Sequence, residues 1–190
     1  MIRTHLHHMS HRSVNSHKHR DSASTEEHRH EARQIGPVPS AVIIITDSRN
    51  ERTDRSGQTA SRLIRDGGHE VIHEALIRNE AIEIRTALET AIDAGSKFIF
   101  CTGGTGLGDR DITVDTVTPM LEKVLDGYGE WFRRASWEQI GPASILSRAV
   151  AGKLKRTLVV CSPGSTAAVE LALNGLLIPE LAHLVREVSR

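Results

Sequence analysis

From Ser40 onward the apolar positions alternate between two rhythms. AVIIIT (41–46) is a continuous, mostly β-branched run, which predicts a strand covered on both faces. SGQTASRLIRDGG (56–68) follows at helical spacing and is stopped by Gly67 and Gly68. HEVIHEAL (69–76) predicts a second strand. EAIEIRTALETAIDAG (80–95) predicts an amphipathic helix, with Ile84, Leu88, Ala91 and Ile92 on one stripe, its acids early and Gly95 at its end. KFIFC (97–101) predicts a third strand, and ITVDTVTPMLEKVLDG (112–127) a mostly helical segment. After a polar-aromatic stretch, ASILSRAVAGKLKRTLVVC (143–161) reads as a short helix and two strands that turn near Gly152 to Lys155. SPGSTAAVELALNGLL (162–177) opens another helix and PELAHLVREV (179–188) a last one. Such alternation predicts an α/β fold with a mostly parallel sheet and helices on both faces. The site is expected in loops at the C-terminal ends of the strands.

Residues 1–37 break this pattern. They carry eight of the eleven histidines, six Lys/Arg against four Asp/Glu, and few large apolar residues. Such a segment cannot bury enough surface to offset its ordering entropy, so 1–37 is expected to be a disordered His-rich tail, with 38–190 the folded domain. Residues 24–33 have the composition of a frayed helix capped by Ser24 or Thr25. Structural metal sites need fixed ligands that close a coordination sphere, and the irregular histidine spacing does not point to one.

Composition narrows the function. The 190 residues are 38% hydrophobic with formal net charge zero, and aromatics are 3%. Neutrality and scarce aromatics argue against a nucleic-acid partner. No stretch reads as a membrane span or a signal peptide. Cys101 and Cys161, the only cysteines, form no disulfide framework, and a cytoplasmic location is expected. They read as two small buried strand residues, or as a bridge if their strands are neighbours. Trp131, Phe132 and Trp137 read equally as core packing or as an oligomer interface. His69, His73 and His183 read as strand or surface residues.

The chemistry concentrates in CTGGTGLGDRDITVDTVTPML (101–121). Gly103, Gly104, Gly106 and Gly108 fall within six residues, at the cost in backbone entropy that glycine carries. Thr102 and Thr105 flank them. A second turn, CSPGS (161–165), brings Ser162, Pro163, Gly164 and Ser165 to the same sheet edge. Unobstructed N–H groups and hydroxyls at the start of a helix make an anion cradle. Neither the Walker nor the Rossmann spacing is present, and a phosphate-bearing ligand is expected. Asp109, Arg110 and Asp111 follow. A carboxylate beside phosphates needs a hard cation between them, so Asp111 reads as a Mg²⁺ ligand, or as a cap of the next helix. Asp47 and Ser48 lie after the first strand. Asp54 lies on the same loop, just before Ser56 and Gly57 open the helix, where Asp54 also reads as a cap.

Taken together, TDSR…DRSG, TGGTG…DRDIT, ILSRAVAG and CSPGS resemble the molybdopterin-binding family that includes MogA, MoaB and the gephyrin G domain. GYGEWFRRASWEQIGPASILSRAVAG resembles the MoaB branch most. The resemblance covers residues 40–190. It implies a three-layer α/β/α fold assembled as trimers or dimers of trimers. It also implies binding of molybdopterin and, in active members, adenylylation of its terminal phosphate by Mg-ATP. By motif, it implies that Gly103, Gly104, Thr105 and Gly106 line the ligand and that Asp111 is the catalytic acid. Ser147, Pro163, Gly164 and Ser165 would line the pterin or its phosphate, with Asp47, Asp54 and Ser56 on the nucleotide side. One departure stands out. Active relatives often read Pro-Asp-Asp or Pro-Asp-Glu before the second helix, and here the string is Arg78-Asn79-Glu80. Either Asn79 replaces a metal-binding acid, which leaves a carrier of molybdopterin that does not adenylylate it, or Glu80 substitutes by a one-residue shift.

Overall fold

In the computed structural model, which describes residues 36–48, 50 and 52–190, the β-branched run pairs on both sides. β1 (Pro39–Ile45) lies between β2 (Glu70–Ile77) and β3 (Phe98–Thr102), parallel to both. All of β1 after Pro39 is buried, so no position along it needs to be polar. β6 (Thr157–Ser162) continues the parallel array beyond β3. β5 (Val150–Leu154) and β4 (Lys123–Val124) finish the sheet antiparallel, in the order β2-β1-β3-β6-β5-β4.

Because side chains alternate across a strand, the sheet feeds two cores. Val42, Ile44, Phe98, Phe100, Leu158 and Val160 pack with α1 (Arg55–Asp66), α4 (Asp126–Ile140) and the C-terminal helices. Ala41, Ile43, Ile45, Ile99, Cys101 and Cys161 pack on the other face with Ile84, Leu88 and Ala91 of α2 (Ala81–Asp93), and with Val117 of α3 (Thr113–Val117). These are the three layers, and each fully buried Ile or Leu contributes on the order of 1.5–3 kcal/mol. Cys101 and Cys161 face each other in the register of β3 and β6, both free and buried. Their mutual thiol hydrogen bond, together with burial, pushes the Cys101 thiol well up.

Three segments differ from the pattern-based expectation. The expected helix over 112–127 is short: it runs Thr113–Val117 and tightens into a 3-10 turn at Thr118–Met120, where Pro119 lacks an N–H. Lys123–Val124 then adds an edge strand to β5. The polar-aromatic stretch is itself the helix α4. Of its aromatics, Phe132 is buried and Trp131 packs against the core, reaching the side-chain-free surface at Gly175, whereas Trp137 is exposed.

The last two expected helices are one continuous run, Thr166–Ser189, long and apolar enough by length and composition to cross a membrane. That overturns the expectation that no stretch is long enough. Here a stripe of the run, Val169, Ala172, Leu173, Leu177, Leu181 and Val185, is buried in the core of the sheet. The run comprises α5 (Thr166–Ala172), a π turn (Leu173–Leu177) and α6 (Ile178–Ser189). Pro179 cannot donate to the carbonyl four residues back, and a wider turn just before it accommodates that. The tail up to Ile35, with its candidate helix at 24–33, lies outside the described residues.

Candidate functional site

The connection after β1 leads to α1 on one face, and that after β3 leads to α3 on the other. Neighbouring strands whose connections part in this way leave a crevice at their C-terminal ends. A cavity of about 590 Å³ opens there. It is lined by Asp47 and Ser48 after β1, Asn79 after β2, Gly103–Gly106, Arg110 and Asp111 after β3, and Pro163–Ser165 after β6. Ser147 closes one side.

The glycine loop is shaped by its backbone. Gly103 has φ +101°, and a Cβ there would stand 2.2 Å from the Ile45 carbonyl oxygen, so no other residue fits. The loop carbonyls are tied back into the protein. Thr113 donates its hydroxyl to Gly103 O (2.9 Å) and its N–H to Gly104 O (2.9 Å), and Arg148 Nη1 donates to Gly106 O (3.0 Å). In a planar trans peptide the next N–H points the opposite way, so the N–H groups of Gly104, Thr105 and Leu107 face away from these partners. Across the cavity, Ser165 caps the long C-terminal run, its hydroxyl accepting from Ala168 N (3.2 Å), and this brings a positive helix end to the same space.

The charged groups interlock. Asp47 Oδ2 accepts from Arg110 Nε (3.1 Å) and Nη2 (2.9 Å), while its Oδ1 accepts from Asn79 N (3.1 Å). Asn79 Nδ2 donates to the Arg110 carbonyl, and Asn79 Oδ1 is buried with no hydrogen-bond partner. Asp111 Oδ2 accepts from Gly108 N (3.2 Å), and a Cβ on Gly106 would stand 2.5 Å from that oxygen. Asp111 is not the cap of the following helix, since Ile112 holds that place without a side-chain bond.

A sequence profile described as "Probable molybdopterin binding domain" matches residues 41–183. Molybdenum cofactor biosynthesis protein B of Bacillus subtilis (strain 168) is 41% identical over 169 residues, 88% of this chain and 98% of that protein. This chain belongs to that family of molybdenum cofactor biosynthesis proteins. A crystal structure of molybdenum cofactor biosynthesis protein B superposes with TM-score 0.77 at 36% identity, covering 80% of this chain and 96% of the other. MoaB from Pyrococcus furiosus, described as a tungsten cofactor synthesizing protein, gives 0.76 at 31% identity, covering 81% and 98%.

Against the family motif, the structure brings Asp47, Ser48, Asn79, Gly103, Gly104, Thr105, Gly106, Asp111, Ser147, Pro163, Gly164 and Ser165 to one cavity. Asp54, Ser56 and Gly57 sit apart from its lining. Buried Asp54 caps α1, accepting from Gly57 N (2.9 Å) and Ser56 Oγ (2.7 Å). Buried Thr102 donates to the Pro163 carbonyl (3.2 Å) and so joins the two turns rather than lining the space. Asp109 and Glu80 are exposed outside the lining, so of the pair Asn79/Glu80 it is Asn79 that faces the cavity. Motif reading missed Arg110 as a cavity residue. It also missed the wall from Phe132, Ser136, Gln139 and Ile140, which lies on the unassigned helix α4.

The donors present fit Mg²⁺ carried in by phosphates. Among the described residues no group of three or more His, Cys, Asp or Glu forms a closed metal cage. Mg²⁺, however, characteristically takes one or two carboxylates plus phosphate oxygens and water. Asp111 and Asp47 offer the carboxylates, and Asn79 Oδ1 is a buried acceptor in need of a donor or cation.

Proposed function

We propose that this protein binds molybdopterin in the cavity and adenylylates its terminal phosphate with Mg-ATP. A phosphate oxygen of molybdopterin attacks the α-phosphorus of ATP. That P–O bond forms as the α–β bridging P–O bond breaks, and pyrophosphate leaves. The nucleophile is already an anion at neutral pH, so the reaction needs no general base; among the described residues lining the cavity there is no histidine or lysine. What it needs is two anions held in line with their charge offset. The glycine loop and the Ser165 helix start supply oriented donors, and Asp111 would hold the cation. When bound, Mg²⁺ supplies charge neutralisation across the phosphates. The observation that carries this reading is the convergence of both glycine turns and Asp111 on one cavity.

Purified protein incubated with molybdopterin, Mg²⁺ and α-labelled ATP is expected to yield labelled molybdopterin adenylate and pyrophosphate. Asp111→Asn is expected to lower that rate by on the order of 10²-fold while molybdopterin binding persists. Asn79, an amide where active relatives often carry an acid, favours a second reading, that of a carrier. Tight molybdopterin binding with no adenylate formed would select the carrier.

A further inference from the structure

The inference rests on the reading that the cavity receives phosphoryl groups. Among the described residues lining it, Arg110 alone has a cationic side chain. That charge is paired with Asp47, because Nε and Nη2 both donate to Asp47 Oδ2. The Arg110 backbone is anchored separately, through its carbonyl to Asn79 Nδ2. Its side chain is 79% exposed, so the guanidinium can leave Asp47 without unravelling the loop. An exposed ion pair holds its partners weakly. A phosphoryl group offers the same guanidinium a bidentate, more highly charged acceptor. In the paired state Asp47 also presents a carboxylate to a space read as taking anions.

We propose that Asp47 and Arg110 form a charge latch between the loops after β1 and β3. In the empty site Asp47 holds Arg110. An arriving phosphoryl group takes the guanidinium, and the ion pair opens. Arg110 is therefore the phosphate-binding cation of the site, and Asp47 sets its availability.

The test is a double-mutant cycle measured by titration calorimetry in EDTA, with ATP and with anaerobic molybdopterin as separate probes. Wild type, Arg110→Gln, Asp47→Asn and the double variant are compared, each checked by thermal melting. Asn at 47 keeps an acceptor for Asn79 N, which favours an intact fold. Arg110→Gln is expected to weaken at least one probe about tenfold or more. Asp47→Asn is expected to tighten the same probe several-fold, and that gain should vanish in the Arg110→Gln background. A gain that persists there would show that Asp47 merely repels the ligand, and would overturn the latch. Wild-type affinity in Arg110→Gln would overturn it too. A response to ATP alone or to molybdopterin alone supports the latch and identifies which phosphate opens it. Wild type that binds neither probe in EDTA, nor when the titration is repeated with Mg²⁺, would sink the functional reading together with the latch, whereas binding with an additive cycle sinks only the latch.

Discussion

At position 79 an amide does something a carboxylate cannot. Asn79 donates through Nδ2 to the Arg110 carbonyl, and its backbone N–H bonds Asp47. It does not cap α2: Glu80 holds the cap position, with no side-chain bond. Asn79→Asp would remove the donor from the Arg110 carbonyl and set a second carboxylate near Asp47. The expected cost is about 1–2 kcal/mol of stability without Mg²⁺, read as a fall in denaturant midpoint. Added Mg²⁺ should recover more stability in the variant than in wild type, because a cation offsets the like charges. Equal Mg²⁺ responses would mean that position 79 faces no cation. Much of the site was legible at this scale, because glycines and acids at fixed spacing after strands carry their chemistry in their identity. Arg110 was not, since its role depends on which carboxylate it meets 63 residues away. Asp54 was legible as a helix cap, which it is, while its second reading as a nucleotide-side residue is not supported by the cavity lining, where Asp47 alone of the two is found.

Among elements, the parallel strands were legible from unbroken apolar runs, and α1 and α2 from a helical rhythm followed by Gly67 and Gly95. α4 was not. It holds Gly127, Gly129 and four aromatics, Tyr128, Trp131, Phe132 and Trp137, a composition of modest helix propensity. Tertiary packing decides it: at Gly129 a Cβ would stand 2.8 Å from the Ala149 carbonyl, so the glycine admits close approach of the strand side. The start of the sheet has a pH dependence. His69 Nδ1 accepts from Val38 N (3.2 Å) beside the bond from Glu70 N to Val38 O (3.1 Å), which fastens β2 to β1. Burial pushes the His69 imidazole below its usual 6.5, since the neutral form is the one that fits and accepts. That contribution to stability is full above pH 6.5. It declines as pH falls, because the unfolded chain binds the proton more readily, until the folded pKa is passed. Thermal melts between about pH 7.5 and about pH 5, at roughly half-unit steps, should show a shallower acid decline in His69→Asn than in wild type. The remaining histidines are common to both proteins and cancel in the difference. Parallel declines would remove His69 from the account.

At the scale of the whole molecule, the stretch from Trp137 to Leu146 leaves apolar surface uncovered. Trp137, Ile140, Ile145 and Leu146 are 54%, 57%, 78% and 59% exposed. Large exposed apolar side chains gathered at one helix end and the turn after it are the composition of an interface centre, where Trp is enriched. The family resemblance carries the expectation of a trimer or a dimer of trimers, and this surface gives the expectation a place to be tested. Light scattering of wild type is expected to return a multiple of 20.9 kDa. Trp137→Lys with Ile145→Lys is expected to return the single-chain mass with little change in melting of the isolated fold, because neither side chain belongs to the two buried cores. Ile140 and Leu146 also line the cavity, so assembly and ligand binding should be linked. The monomeric variant should bind molybdopterin more weakly although every polar group around the glycine loop is retained. An unchanged mass in the double variant would place the contact elsewhere on the molecule. A monomeric variant with undiminished affinity would show that each cavity is complete within its own chain.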